Sequence, residues 1–390
     1  MEGVDKKALE ALIQKNVGTK IRKLRKAKKL NAVALAEKAG ISQGQLSKIE
    51  NGKATISIKN LAAICRVLDY PVSYLFQSED SAQTGSHTMT TVTAVAGLEH
   101  QGLHWFEREI SRYTDGTVTL NTLGTLQFGP VHEQIDLLFN GEIDLFAEEL
   151  VHFDRIVPEL KHFNLPYCFP SQEKRLAFLR SSYFRENVVN VLLEKGVRCL
   201  NPRWNWIRGI ERVIIANRPI TTPREVKGLR VRIYESEILK KFWEKMGAIP
   251  VVVPYAGIRQ AIDSGKVDAV PLSKELLYRQ RLCRNARFIT ILGDLACLVG
   301  IFITEKKYSS FSHEIQNSLK KACNSAGDIF SMNVKLAEEK NEKLNMYRYG
   351  AVYLKVDLEP WRLDTLRIRR ELMAEKMLSR TAWEAMEDAC

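Results

Sequence analysis

The chain has 390 residues, 45% hydrophobic and 27% charged, with 58 Lys+Arg against 46 Asp+Glu for a formal net charge of +12. That length leaves room for two or three folded units, and seven scattered cysteines without a CxxC pair argue against a disulfide scaffold and for a reducing compartment. No apolar run approaches the roughly 18 residues that span a bilayer, and MEGVDKKALEALIQK has no apolar signal core, so the expected location is cytoplasmic, with no membrane partner.

Residues 1–77 hold 15 Lys+Arg and 6 Asp+Glu, while the remaining 43 and 40 nearly cancel. The pattern fits a nucleic-acid-binding head on a neutral body. Within the head, Leu35, Ala36, Ala39, Ile41, Leu46 and Ile49 recur at the spacing that buries one side of two crossing helices. Asn31 can cap the first of these. Gly40 falls where the chain must turn. Ser42 can cap the second, with Gln45 completing a capping box. A further helix is predicted from Ser57, with Leu61, Ile64, Cys65 and Leu68 as its apolar stripe.

On these residues, and on the run Glu50, Asn51, Gly52, Lys53, the segment 17–76 resembles the phage-repressor (Cro/cI, or XRE-type) helix-turn-helix family. The resemblance implies that the second helix lies in the major groove of double-stranded operator DNA. The implied base-facing positions are Gln43, Gly44, Gln45, Ser47 and Lys48, although the capping box competes for Gln45. Asn31, Asn51 and Lys53 would hold phosphates, and Arg25 with Glu50 would be a structural bridge. Two departures stand out: Ala32, where the family often carries a DNA-contacting Gln, and Gly44, which offers no side chain.

Residues 78–90, SEDSAQTGSHTMT, are polar and small and read as a linker. Beyond it strands alternate with helices, a parallel-sheet signature: TVTAVAG, the helix 102–113, TVTLNTL, the helix 132–140 and EIDLFA. A second series follows. A capping box at Thr222, Pro223 and Glu225 precedes the strand LRVRI, the helix SEILKKFWEKMG, the strand AIPVVVPY, the helix AGIRQAIDSG and the strand KVDAVPL.

Residues 91–345 resemble the solute-binding proteins of TRAP transporters, above all through ANRPITTPREVKGLRVRIYESEILKKFWEKMGAIPVVVPYAGIRQAIDSGKVDAV. The expected architecture is an all-α helix-turn-helix domain (1–77), the linker, an α/β two-lobed periplasmic-binding-protein-like domain (91–345) and a C-terminal helical segment (346–390) that packs on the lobes or pairs protomers. The resemblance implies a hinged domain that closes on a small organic acid.

Strand alternation puts Arg230, Arg232 and Tyr234 on one face of LRVRI and Leu229, Val231 and Ile233 on the other. Arg232 matches the family's carboxylate-binding arginine, whose planar fork grips both oxygens. Arg212 matches a second arginine near the same carboxylate, and Arg230 is the off-register control. Tyr255 falls where the family sets an aromatic over the ligand, or is a core tyrosine. Glu149 and Glu235 could take a ligand hydroxyl or ammonium, or be solvated. Trp206, like Trp204, is either a cleft wall or a core anchor. Pro271 and Leu272 replace a polar segment of the family and point to a more apolar pocket.

No catalytic, metal or cofactor constellation is legible: HExxH, GxSxG, the P-loop and the dinucleotide fingerprint are missing, and His100 with His104 at i, i+4 reads as a surface pair. The leading reading is therefore a non-enzymatic, ligand-responsive regulator acting as a homodimer. The alternative is a regulator whose solute-binding domain has lost its ligand and only holds the dimer. A third, an enzyme on a borrowed binding fold, lacks a nucleophile or metal set.

Overall fold

The head is built from α1 (Lys6–Ala27), α2 (Ala32–Lys38), α3 (Gln43–Glu50) and α4 (Ile58–Leu68). The structure is a computed structural model that describes residues 6–54, 57–68, 70, 75, 87–93, 98–124 and 131–389. The Asn31 side chain accepts from the Ala34 N–H at 2.7 Å. Ser42 and Gln45 form both bonds of the capping box, each 3.1 Å long. Gly40 takes a left-handed φ of 67°, which ends α2 at no steric cost. Leu35, Leu46, Ile49, Ile64 and Leu68 are buried together, while Ile41 is only partly covered.

Two compact units divide the chain: residues 1–147 with 302–322, and 148–301 with 323–390. The chain passes between them three times, once within the strand β9 (Phe288–Thr304) and once within the long helix α14 (His313–Tyr349).

In the first unit the head is followed by β1 (His87–Thr93), α5 (Leu98–Tyr113), β2 (Val118–Gly124), α6 (Val131–Phe139) and β3 (Leu145–Glu149). β1 pairs in parallel with β2 and β3, as the alternation implies. The strand starts at His87, earlier than its expected residue 91, because His87–Thr90 continue a β-prone run that polarity alone makes look like linker. Residues 94–97 of the expected strand lie outside the described residues.

The second unit begins with short helices, α7 (Gln172–Arg180), α8 (Ser182–Phe184) and α9 (Asn190–Glu194), and then β4 (Val197–Cys199) and β5 (Ile207–Ala216). The expected series follows in order: β6 (Arg230–Ile233), α10 (Glu237–Lys245), β7 (Ile249–Val252), α11 (Ile258–Asp263) and β8 (Ala269–Ser273). Ser236 caps α10, and the Glu225 carboxylate accepts from the Thr222 N–H at 2.8 Å. The sheet runs β9-β5-β8-β6-β7 and is mixed rather than parallel, since β5 is antiparallel to both β8 and β9 while β6 is parallel to β7 and β8.

After α12 (Leu276–Arg279), β9, α13 (Glu305–Ser309) and α14, a short strand β10 (Val352–Lys355) adds in parallel to β9. α15 (Glu359–Ala374) then packs Trp361, Ile368 and Leu372 against Val231, Ile233, Phe242 and Trp243. α16 (Arg380–Asp388) closes the chain. The C-terminal helices are thus part of this lobe's core.

Candidate functional site

Two irregularities in β5 shape the site. Its register against β9 shifts between Arg208 and Glu211 and again between Arg212 and Val213. Gly209 (φ 86°) and Gly293 (φ 57°) sit at those shifts in left-handed conformations. Such bulges re-aim side chains that a regular pleat would alternate. Arg212 ends up flanked in register by Ser273 on β8 and Asp294 on β9.

Three arginines of this unit, Arg208, Arg212 and Arg232, act electrostatically on one histidine, His152. Burial, with a smaller contribution from the three cations and against the opposing charge of Glu149, pulls His152 down to about 4. Its ring meets Tyr234 edge to face at 4.8 Å. It is neutral near pH 7.

The arginines differ in what they are given. Arg208 donates to Glu149 at 2.9 Å and stands 3.7 Å from Glu275, two buried acids. Arg212 lies 3.7 Å from Asp294, which also accepts from the Tyr167 N–H at 2.8 Å. Burial pushes the Asp294 carboxyl up, with Arg212 opposing. Arg232 is 8% exposed, and its Nε donates to the Val253 carbonyl at 2.9 Å. Among the described residues no carboxylate forms an ion pair with it. Burial draws its guanidinium down to about 10, only partly offset by Tyr234, Tyr255 and Glu149. Arg230, by contrast, is exposed and forked onto Asp268 at 2.6 and 2.9 Å.

Tyr255 opens a 3₁₀ turn after β7, half-buried and packed against the Val213, Ile215 and Leu272 cluster. Glu235 is exposed. Trp206 is fully buried, donates from Nε1 to the Cys323 carbonyl at 2.9 Å and packs on Phe330, surroundings that belong to a core anchor. Trp204 is buried against Phe184. Leu272 faces the core, and Pro271 stands in register with Ile214. A cavity of about 30 Å³, on the scale of one water molecule, lies beside Arg212, with Leu150, Phe163, Leu165 and Leu298 as apolar wall. Sequence reasoning missed Arg208, His152, Asp294 and Glu275. The Arg208-x-x-x-Arg212 spacing was the one available signal, and strand alternation alone gives it no meaning across a bulge.

In the head, Gln43, Gly44, Gln45, Ser47 and Lys48 are exposed on α3, whereas Leu46, Ile49 and Glu50 are buried. Arg25 forks onto Glu50 at 2.6 and 2.9 Å, the bridge expected of the pair. Gln45 spends its side-chain oxygen on the Ser42 N–H, and Asn51 donates to the Ser47 carbonyl and accepts from Arg22 at 2.6 Å. Lys53 is exposed. His100 and His104 face each other with Nε2 atoms 3.1 Å apart, but no cluster of three metal-ligating side chains occurs among the described residues. Within those residues no helix is long and apolar enough to cross a membrane.

The fold and these positions define a helix-turn-helix head joined to a two-lobed solute-binding domain. A family model described as "Bacterial extracellular solute-binding protein, family 7" matches residues 89–374, and one described as "Helix-turn-helix" matches residues 21–75. The chain belongs to the former family. It is 24% identical over 244 residues to the C4-dicarboxylate-binding periplasmic protein DctP of Rhodobacter capsulatus, covering 62% of this chain and 71% of that one. It is 22% identical over 275 residues to the sialic acid-binding periplasmic protein SiaP of Vibrio cholerae, covering 69% and 82%. Among solved structures, a TRAP periplasmic solute-binding protein of Shewanella oneidensis with bound succinate superposes with a TM-score of 0.69 at 17% identity, covering 78% of this chain and 99% of that one. One from a Sulfitobacter species with bound β-D-galacturonate gives 0.69 at 18%, covering 77% and 100%.

Proposed function

We propose that the chain is a cytoplasmic, ligand-responsive transcriptional regulator that binds operator DNA as a homodimer and senses a small organic acid. The observation that carries the sensing half is Arg232: a buried guanidinium without a carboxylate partner among the described residues, in a lobe where Arg208 has two. A buried charge is costly unless paired, and a ligand carboxylate supplies the missing partner bidentately. Arg212 stands second to it, Tyr255 covers the ligand, Glu149 reaches it through the Arg208 pair, and the exposed Glu235 lies at its edge. Trp206 supports the site from the core. Solute-binding relatives that hold succinate or a sugar acid support this ligand class.

The DNA half rests on the exposed row of α3. Gln43 and Lys48 read base edges, Gly44 lets the backbone approach, and Gln45 keeps one amide end for DNA while the other caps the helix. Ser47 lies between these base-reading positions. Asn31, Asn51 and Lys53 hold phosphates. A thermal-shift screen with a carboxylic acid panel, followed by calorimetry on the hits, tests the sensing half; no hit across mono- and dicarboxylates would favour a domain kept only for pairing. Selection from random duplexes tests the other half, and no sequence preference would sink the regulator.

A further inference from the structure

We propose that the outer face of α14 is the surface on which two copies of this chain pair, antiparallel, about a two-fold axis level with Asn341. This rests on the reading above that the regulator works as a dimer, and it names the surface.

The inner side of α14 is spent on its own lobe, where Phe330, Val334, Glu338 and Asn345 are buried. The outer side carries Met332 at 57%, Leu336 at 56%, Met346 at 52% and Tyr347 at 92% exposure. Large apolar groups at such exposure on one helix face mark an interaction surface. Met332, Leu336, Glu339, Lys343 and Met346 follow one another at steps of four, three, four and three residues, the spacing of a coiled-coil seam. The occupant is fixed by charge. Laid antiparallel on itself about Asn341, the seam sets Leu336 against the partner's Met346 and Glu339 against the partner's Lys343, each contact occurring twice, as an isologous interface requires. A parallel pairing in register would set Glu339 on its own copy and fails on repulsion.

The flanks agree. Lys274 binds Glu342 at 2.5 Å and Arg348 binds the Tyr278 hydroxyl at 3.1 Å, so those charges serve the lobe. Glu339 and Lys343 form no ion pair with any described residue, although their spacing suits an intrahelical one.

The test is sedimentation velocity on the full chain over a concentration series, with circular dichroism confirming the fold of each variant. Glu339→Lys and Lys343→Glu, each placing like charges together twice, should each raise the dimer dissociation constant at least roughly tenfold, and the double exchange should restore it. Leu336→Asp should raise it as well, with no restoring partner. A monomeric wild type, single variants that stay dimeric, or a double exchange that fails to restore pairing each overturns the proposal. Operator selection run in parallel separates the two claims: a dimer broken by the single charge reversals and restored by the double exchange, but with no DNA preference, defeats the regulator and leaves this surface standing. Operator binding by a dimer indifferent to the single charge reversals does the reverse.

Discussion

Arg25 in the head and Arg232 in the second lobe are both largely buried guanidinium groups close to a proposed binding surface, yet they have opposite partners. Arg25 is forked onto Glu50, an acid 4% exposed in its side chain, so α1 is locked to α3 and the charge is used up inside the fold. Arg232 has a backbone carbonyl on Nε and no ion-paired acid among the described residues. The comparison teaches that a buried arginine is read by its counter-charge: where the chain supplies one, the residue builds structure, and where it does not, the charge is left open to a partner, which is the ground of the carboxylate clamp proposed above. Arg208, in the same lobe as Arg232 but held by Glu149 and near Glu275, falls on the structural side.

The largest expected effect breaks the head's half of that comparison. Glu50→Ala strands Arg25 without its acid and should cost the head about 3–5 kcal/mol, the usual penalty for breaking a buried pair. Operator binding should vanish while calorimetric ligand affinity holds. A head that melts unchanged would show the pair to be dispensable.

Arg232→Lys keeps the charge but loses the fork, and should weaken binding of a carboxylate hit by about 2–5 kcal/mol while DNA binding persists. Arg230→Lys, at an exposed pair, should change affinity little. Equal losses at the two positions would remove the carboxylate clamp.

A third test uses His162, fully buried, with Nε2 donating to the Ser379 carbonyl at 2.7 Å and its ring stacked on Trp383. Burial brings it down to about 4. Protonation is therefore easier in the unfolded chain: its stabilising contribution is complete above about pH 6.5 and is lost as the pH falls toward 4, by about 3 kcal/mol in all. Urea titrations at several pH values should show a shallower acid loss in His162→Gln than in the wild type, and superimposable slopes would reject the assignment.

The smallest effect sharpens the DNA face. Lys48→Ala should cost about 1–3 kcal/mol at one operator position if it reads a base. A uniform loss over all sequences, with a reduced salt slope, would make it a phosphate contact.

The head was legible because its signals are local. Asn31, Ser42, Gln45 and Gly40 act within four residues of themselves, so caps and turn could be read one after another. The run from Thr222 to Ser273 was legible for the same reason, each strand and helix carrying its own period and stop. What escaped was the long-range part, β5 and β9, whose antiparallel pairing joins residues about eighty apart in sequence, and β10, added at the far end of the chain, together with the helices α7 and α14, whose periods were not read.

By itself, then, the sequence determined where α2 and α3 begin, which of their faces are apolar, that a basic head precedes an α/β body, and that Arg232 sits at a strand end. Only the tertiary structure decided which arginines are matched by acids. Asp294 reaches Arg212 from another strand, Glu149 and Glu275 reach Arg208 from elements on either side of it in the chain, and two bulges set the aim of β5. The reason is physical: helix caps and periodicity depend on neighbours in sequence, whereas charge pairing and burial depend on neighbours in space.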